Sequence, residues 1–156
     1  MHIQRLALVY NTQLLLSELN SVRLIDSTEY KSNTNWAWLK GKADNTCSET
    51  IRVSAVLQQI TQCVPLALYY VQLHDQPINP HTDSGCQCAV NIVLSEQAAP
   101  VIFERQYSYH YTCALLNVGQ YEHEVPAHHD DRYIVRYVFQ ESFDVVRDRL
   151  SQYHSN

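Results

Sequence analysis

Cys63-Val64-Pro65-Leu66-Ala67-Leu68-Tyr69-Tyr70-Val71-Gln72-Leu73 is where the chain changes period. Ahead of it, Ile51, Val53, Val56, Leu57, Ile60 and Cys63 recur at helical spacing, which predicts a helix over 49–62. Pro65 stops that helix, because proline lacks the amide proton and its ring crowds the preceding residue. Beyond it the runs are short and rich in β-branched and aromatic residues: Leu66–Leu73, Ala89–Leu94, Val101–Glu104, Tyr107–Tyr111, Cys113–Val118 and Arg132–Gln140. Such runs between turn residues read as strands. Strand follows strand with no helix between, so the pattern favours an antiparallel sandwich or barrel over a parallel doubly wound sheet.

Nearer the N-terminus, residues 3–10 read as an opening strand. Asn11-Thr12 can cap a helix, and Leu14, Leu15, Leu16, Leu19 and Val22 form its apolar stripe over 12–22. Residues 25–35 are polar and loop-like, Trp36–Leu39 is a short strand candidate, and Lys40–Asn45 reads as a loop. Phe143, Val145, Val146 and Leu150 predict a closing helix over 142–152.

Composition removes several classes. The 156 residues are 46% hydrophobic and 17% charged, which excludes a disordered chain and a coiled coil and leaves one domain as the expectation. The net charge of −5, with no cluster of Lys and Arg, argues against duplex nucleic acid as a partner. The apolar runs Val64–Val71 and Cys113–Val118 are far shorter than a membrane span, and Met1–Tyr10 lacks the pattern of a signal peptide. Five cysteines at irregular spacing do not make a disulfide framework, so a reducing cytoplasm is expected. With 3 glycines, neither G-x-G-x-x-G nor G-x-x-x-x-G-K-[ST] occurs, which excludes the usual Gly-rich nucleotide cradles.

The chemistry concentrates in Ile78-Asn79-Pro80-His81-Thr82-Asp83-Ser84. Residues i and i+2 of an extended chain point the same way, so the His81 imidazole and the Asp83 carboxylate can reach one metal ion. The best third ligand is His123, which follows an apolar strand and a turn at Gly119. Two histidines and a carboxylate on one face leave positions open, as suits a non-haem Fe(II) centre that activates O2. His110, His74-Asp75 and His128-His129-Asp130-Asp131 are rival groups, read as sheet-face or turn residues. In the last strand Arg132, Ile134, Arg136 and Val138 share one face. An arginine facing a barrel interior needs an anion, and a carboxylate matches its fork. Asn91, a polar residue in an apolar strand, and Tyr70, on the strand before His81, are further pocket candidates.

The stretch from about Leu66 to Gln140 resembles the core of Fe(II)/2-oxoglutarate-dependent dioxygenases, and within them the small prolyl- or aspartyl-hydroxylase-like members. The motifs that carry the likeness are His81-Thr82-Asp83, His123-Glu124-Val125 and the later Arg132. The resemblance implies a mainly β fold with flanking α-helices and a double-stranded β-helix, a jelly-roll or cupin-like core. In one domain over 1–156, residues 1–64 would supply helical and strand support, about 65–140 the jelly-roll core and about 142–152 the last helix. It also implies that His81, Asp83 and His123 bind Fe(II) and carry the catalysis. Arg132 would clamp the distal carboxylate of 2-oxoglutarate, with Arg136 as its rival and with Tyr70 and Asn91 beside them. O2 is the other co-substrate, and a C–H bond of a small molecule or an amino-acid or peptide side chain is hydroxylated. The segment 26–47 is the candidate substrate cover. Two other readings stay open: a cupin-like metalloenzyme that does not use 2-oxoglutarate, and a non-enzymatic jelly-roll interaction or structural module. The oligomeric state is not legible in the sequence.

Overall fold

The computed structural model describes residues 1–26 and 38–153. In chain order the elements are β1 (Ile3–Arg5), α1 (Thr12–Ser21), β2 (Ile25–Asp26), β3 (Trp38–Lys42), α2 (Ser48–Thr61), β4 (Leu66–Gln72), β5 (Ile78–His81), β6 (Cys88–Val93), β7 (Val101–Phe103), β8 (Tyr107–Tyr109), β9 (Cys113–Leu116), β10 (His123–Val125), β11 (Arg132–Phe139) and α3 (Phe143–Tyr153). Two antiparallel sheets result. The larger has the order β1-β9-β6-β11-β4-β3-β2 and the smaller β5-β10-β7-β8. From β4 to β11 the chain passes back and forth between them, which is the winding of a double-stranded β-helix. The fold is thus mainly β with flanking helices.

Side-chain alternation assigns the two faces of the large sheet. On β11, Val135, Tyr137 and Phe139 join the core under the helices, as do Tyr69 and Val71 of β4, Val90 and Ile92 of β6 and Leu115 of β9. Leu15 and Leu19 of α1, Val53 and Leu57 of α2, and Val146 and Leu150 of α3 close that core from outside. Each fully buried leucine here contributes about 1.5–3 kcal/mol. The opposite face looks between the sheets. At one end Ala89, Ala114 and Leu116 meet Val101, Phe103 and Val125 in a second, smaller core. The rest of that face lines a cavity.

The helices start on specific caps. Asn11 accepts the Leu14 amide with its side chain at 3.1 Å. Cys47, at the head of α2, makes no side-chain cap bond. Glu18 of α1 serves instead, accepting the backbone amides of Glu49 at 2.6 Å and Thr50 at 3.0 Å. A carboxylate among the free amides of a helix start is favourable in charge and in hydrogen bonding.

Three local expectations need correction. The opening strand spans Ile3–Arg5 only, although Leu6, Leu8 and Tyr10 still pack on the core. Lys40, Gly41 and Lys42 lie in β3 rather than in a loop, because β4 supplies their pairing partners Tyr70, Tyr69 and Leu68. His110 follows β8 and is exposed, not mid-strand. Residues 27–37, including Trp36, most of the expected loop and half of the expected substrate cover, lie outside the described residues.

Candidate active site

The sheet register brings the two motif histidines together. His81 ends β5 and His123 begins β10, and they are direct cross-strand partners. Their ring centroids lie 4.4 Å apart, with the Phe103 ring of β7 tilted against His123 at 5.6 Å. Asp83 is drawn in from the following link, where its amide donates to the Val118 carbonyl at 2.9 Å. Gly119 allows the next turn of chain to pass close by: a Cβ there would come within 2.8 Å of the Gln87 Cα.

The hydrogen bonds orient the donor atoms. Nδ1–H of His81 donates to the Asn79 carbonyl at 2.7 Å, and Nδ1–H of His123 to the Tyr121 carbonyl at 3.4 Å. Both Nε2 atoms therefore face inward as lone pairs. They meet Oδ1 of Asp83, at 3.3 Å from His81 and 3.9 Å from His123. One ligand atom from each of the three residues lies within 4.8 Å of the others. Burial pushes the His123 imidazole down to about 4, against the pull of Asp83, so it is neutral at neutral pH. Burial alone would raise the Asp83 carboxyl, but the Arg136 guanidinium and then His81 and His123 hold it well below the usual carboxylate range. Converging lone pairs around a fixed carboxylate suit a cation, and this N2O donor set suits a divalent transition metal.

The cavity beside the three residues is about 590 Å³. Arg132, Ile134, Arg136 and Val138 of β11 line it, as the alternation expected, together with Tyr70 and Asn91. Both arginines thus point inward, but to different partners. Arg132 is 5% exposed and donates through Nη2 to the Tyr111 hydroxyl at 3.0 Å. Asn91 donates its amide to the same oxygen at 3.2 Å. Nε of Arg132 and Oδ1 of Asn91 are buried with no hydrogen-bond partner, a costly arrangement unless a ligand completes it. Arg136 instead pairs with Oδ2 of Asp83. The cavity can accordingly hold a metal ion at one place and a carboxylate at another, which is what a chelating dicarboxylate needs.

Sequence reasoning missed three lining residues: Tyr111, Lys40 and Trp38. Tyr111 lay in a tyrosine-rich strand candidate with nothing to single it out, and Lys40 was hidden in an apparent loop. The Trp38 ring lies 4.5 Å from that of Tyr70, tilted against it. The rival groups fare differently. His128, His129 and Asp130 also place donor atoms together but are largely exposed. His74 pairs with Asp131 at 2.9 Å. All five cysteines are free and buried. Burial pushes the thiols of Cys86 up to about 11 and of Cys88 and Cys113 to about 12, too high for a nucleophile at neutral pH.

No protein-family model matches the chain, and no curated protein sequence does. Solved structures match over most of its length. A prolyl-4-hydroxylase from Pseudomonas putida superposes with a TM-score of 0.66 at 12% identity, covering 88% of this chain and 92% of that one. A prolyl hydroxylase from Trichoplax adhaerens, in complex with a hypoxia inducible factor oxygen degradation domain peptide fragment, gives 0.70 at 11% identity, covering 94% and 84%. A viral collagen prolyl hydroxylase from Paramecium Bursaria Chlorella virus-1, as its 2OG complex, gives 0.59 at 7% identity, covering 89% and 96%. No helix among the described residues is long and apolar enough to cross a membrane. The chain has the double-stranded β-helix fold of the prolyl hydroxylases and 2OG-Fe(II) oxygenases.

Proposed function

We propose that this protein is an Fe(II)- and 2-oxoglutarate-dependent oxygenase that hydroxylates a C–H bond of a small molecule or of an amino-acid or peptide side chain. The observation that carries the reading is the convergence of His81, Asp83 and His123 at one cavity with a buried, incompletely bonded Arg132. His81 and His123 would hold the metal through Nε2 and Asp83 through Oδ1. When bound, Fe(II) with 2-oxoglutarate and O2 supplies the oxidant. Arg132 binds the distal carboxylate of 2-oxoglutarate, and the Tyr111 hydroxyl, which already accepts from Arg132 and Asn91, has its proton left to donate to the same group. Asn79 and Tyr121 fix the imidazole tautomers through their carbonyls. The apolar lining, Ile78, Val125 and Ile134 among it, keeps water from the reacting centre. Free buried thiols suit a reducing compartment such as the cytoplasm.

The test is thermal unfolding under anaerobic conditions with Fe(II), Mn(II) or Co(II), with and without N-oxalylglycine, an inert mimic of 2-oxoglutarate. The metal should raise the midpoint, and N-oxalylglycine should raise it further only when metal is present. N-oxalylglycine that fails to bind in a metal-dependent way sinks the reading.

A further inference from the structure

The register along β11 divides the cavity by polarity. Its inward residues are Arg132, Ile134, Arg136 and Val138, each about 6.6 Å further along the strand than the last. At the level of Arg132 the cross-strand partner on β4 is Gln72. At the level of Arg136 the partners are Leu68 of β4 and Asn91 of β6. At the level of Val138 they are Leu66 and Ala89, and Ala89 pairs in turn with Leu116 of β9. The wall thus passes from polar to aliphatic along the strand.

The three candidate metal ligands stand at the change-over. Asp83 pairs with Arg136, and its amide donates to the carbonyl of Val118, which lines the aliphatic end. Arg132 lies about 13 Å from Arg136 along the strand, on the polar side. A dicarboxylate that reaches from the metal to Arg132 fills that side and leaves the other open. The open side faces water with hydrocarbon. Leu66 is 46% exposed although its strand position lines the cavity, and its partner Val138 is half-buried. Ser84 and Gln140 stand exposed at the rim, where the Gln140 amide already donates to the Gly85 carbonyl at 2.7 Å. Among the described residues, no charged side chain other than Asp83 and Arg136 lines this end. A polar ligand group here gives up water and gains no partner from Leu66, Leu68 or Val138, whereas a hydrocarbon group gains by covering them.

Resting on the oxygenase reading, we propose that the substrate is recognised through a saturated hydrocarbon group that packs on Leu66, Leu68 and Val138 beside the metal. Its polar portion stays at the rim, toward Ser84 and Gln140. The C–H bond that reacts belongs to the buried group. One oxygen atom of O2 becomes its hydroxyl oxygen, and the other enters succinate as 2-oxoglutarate loses CO2. Co-substrate recognition then belongs to the Arg132 end of β11 and substrate recognition to the Val138 end.

The experiment is calorimetric titration of protein preloaded with Mn(II) and N-oxalylglycine, which occupy the metal site and the Arg132 end. The probes are two pairs in which an isopropyl group is exchanged for a carboxamide of nearly the same shape: 4-methylpentanamide with butanediamide, and N-acetyl-leucinamide with N-acetyl-asparaginamide. Wild-type protein should bind the isopropyl member of at least one pair about tenfold or more tightly than its carboxamide partner. Val138→Thr and Leu66→Asn, which keep shape and add polarity, should each reduce that preference to about threefold or less. Both variants are first titrated with Mn(II) and N-oxalylglycine, so damage to the co-substrate end shows separately. Leu66 is exposed enough for its variant to fold even where Val138→Thr does not. The inference is overturned if the members of each pair bind equally, if the carboxamides bind more tightly, or if no probe binds up to about 10 mM. It is also overturned if the preference survives both substitutions, because the hydrocarbon is then held elsewhere. Failure of Mn(II) and N-oxalylglycine to bind wild-type protein overturns the oxygenase reading instead.

Discussion

Asp83 and Arg136 form an ion pair in which the carboxylate gives one oxygen to the guanidinium and keeps the other for the imidazoles. The pair spans the two halves of the site. Asp83 follows β5 of the small sheet, and Arg136 sits in β11 of the large one. In the metal-free protein Arg136 supplies the positive charge that the carboxylate requires, so the site can fold before it is loaded.

Asp83→Ala should therefore do two things. It should abolish stabilisation by Mn(II), and it should weaken the metal-free protein by about 3–5 kcal/mol, because Arg136 is left buried without its counterion. Urea unfolding with and without Mn(II) measures both. A variant that loses metal binding at no cost to metal-free stability would show that the ion pair contributes nothing.

Arg132→Ala should lower N-oxalylglycine affinity by about a hundredfold, or about 3 kcal/mol, in the Mn(II)-loaded protein. Metal binding should change little, since Arg132 touches none of the three ligand residues. Arg132→Lys should recover only part of the loss, because an ammonium cannot make the two-pronged contact. Co-substrate binding that survives both Arg132→Ala and Arg136→Ala would favour a metalloenzyme that does not use 2-oxoglutarate.

Glu18 makes stability depend on acidity far from the cavity. Burial pushes its carboxyl up, but the hydrogen bonds from the amides of Glu49 and Thr50 and the hydroxyls of Thr50 and Tyr69 outweigh this and leave it lowered. A carboxyl depressed in the folded state stabilises fully above its unfolded value, about 4.3, and loses that contribution as pH falls through the folded value. Wild-type protein should lose stability on acidification below about pH 4.3, and Glu18→Gln should lose less over the same window. Glu18→Ala should cost about 2 kcal/mol at neutral pH, since the first amides of α2 then lack an acceptor. Denaturation at a series of pH values checks the sign.

Gly119→Ala should destabilise by about 1–3 kcal/mol, because the new methyl meets the backbone of Cys86 and Gln87. Relief of that clash moves the link that leads to His123, so Mn(II) affinity should fall as well. Equal metal affinity in the variant and wild type would show that the link does not position the histidine.

The long strands were legible from their composition and bounds. β11 sets Val135, Tyr137 and Phe139 under the helices with Arg132 and Arg136 inside, while β4 carries apolar side chains on both faces and was marked by Pro65 before it and by its aromatic and β-branched content. β5 and β10 have four and three residues, too few for any period, yet they carry His81 and His123. What made those residues visible was side-chain chemistry and spacing. Lys40 was illegible for the opposite reason: Lys-Gly-Lys lacks strand propensity, and only pairing with β4 makes it extended. Local pattern likewise did not separate Arg132 from Arg136. They share a face, and their difference lies in partners contributed by remote segments, Tyr111 for one and Asp83 for the other.

The small core between the sheets has a consequence for the geometry of the candidate site. His81 and His123 belong to one sheet and both arginines to the other, while Phe103, Leu116 and Val125 fill the gap between those sheets at one end. On the oxygenase reading, these apolar side chains would act as a spacer that sets the reach from the three metal-ligand candidates to Arg132. A change of volume there, such as Phe103→Leu, would then alter the fit of a two-ended ligand without touching any atom proposed to bind it. Ligand selectivity would in that case depend in part on the separation of the sheets.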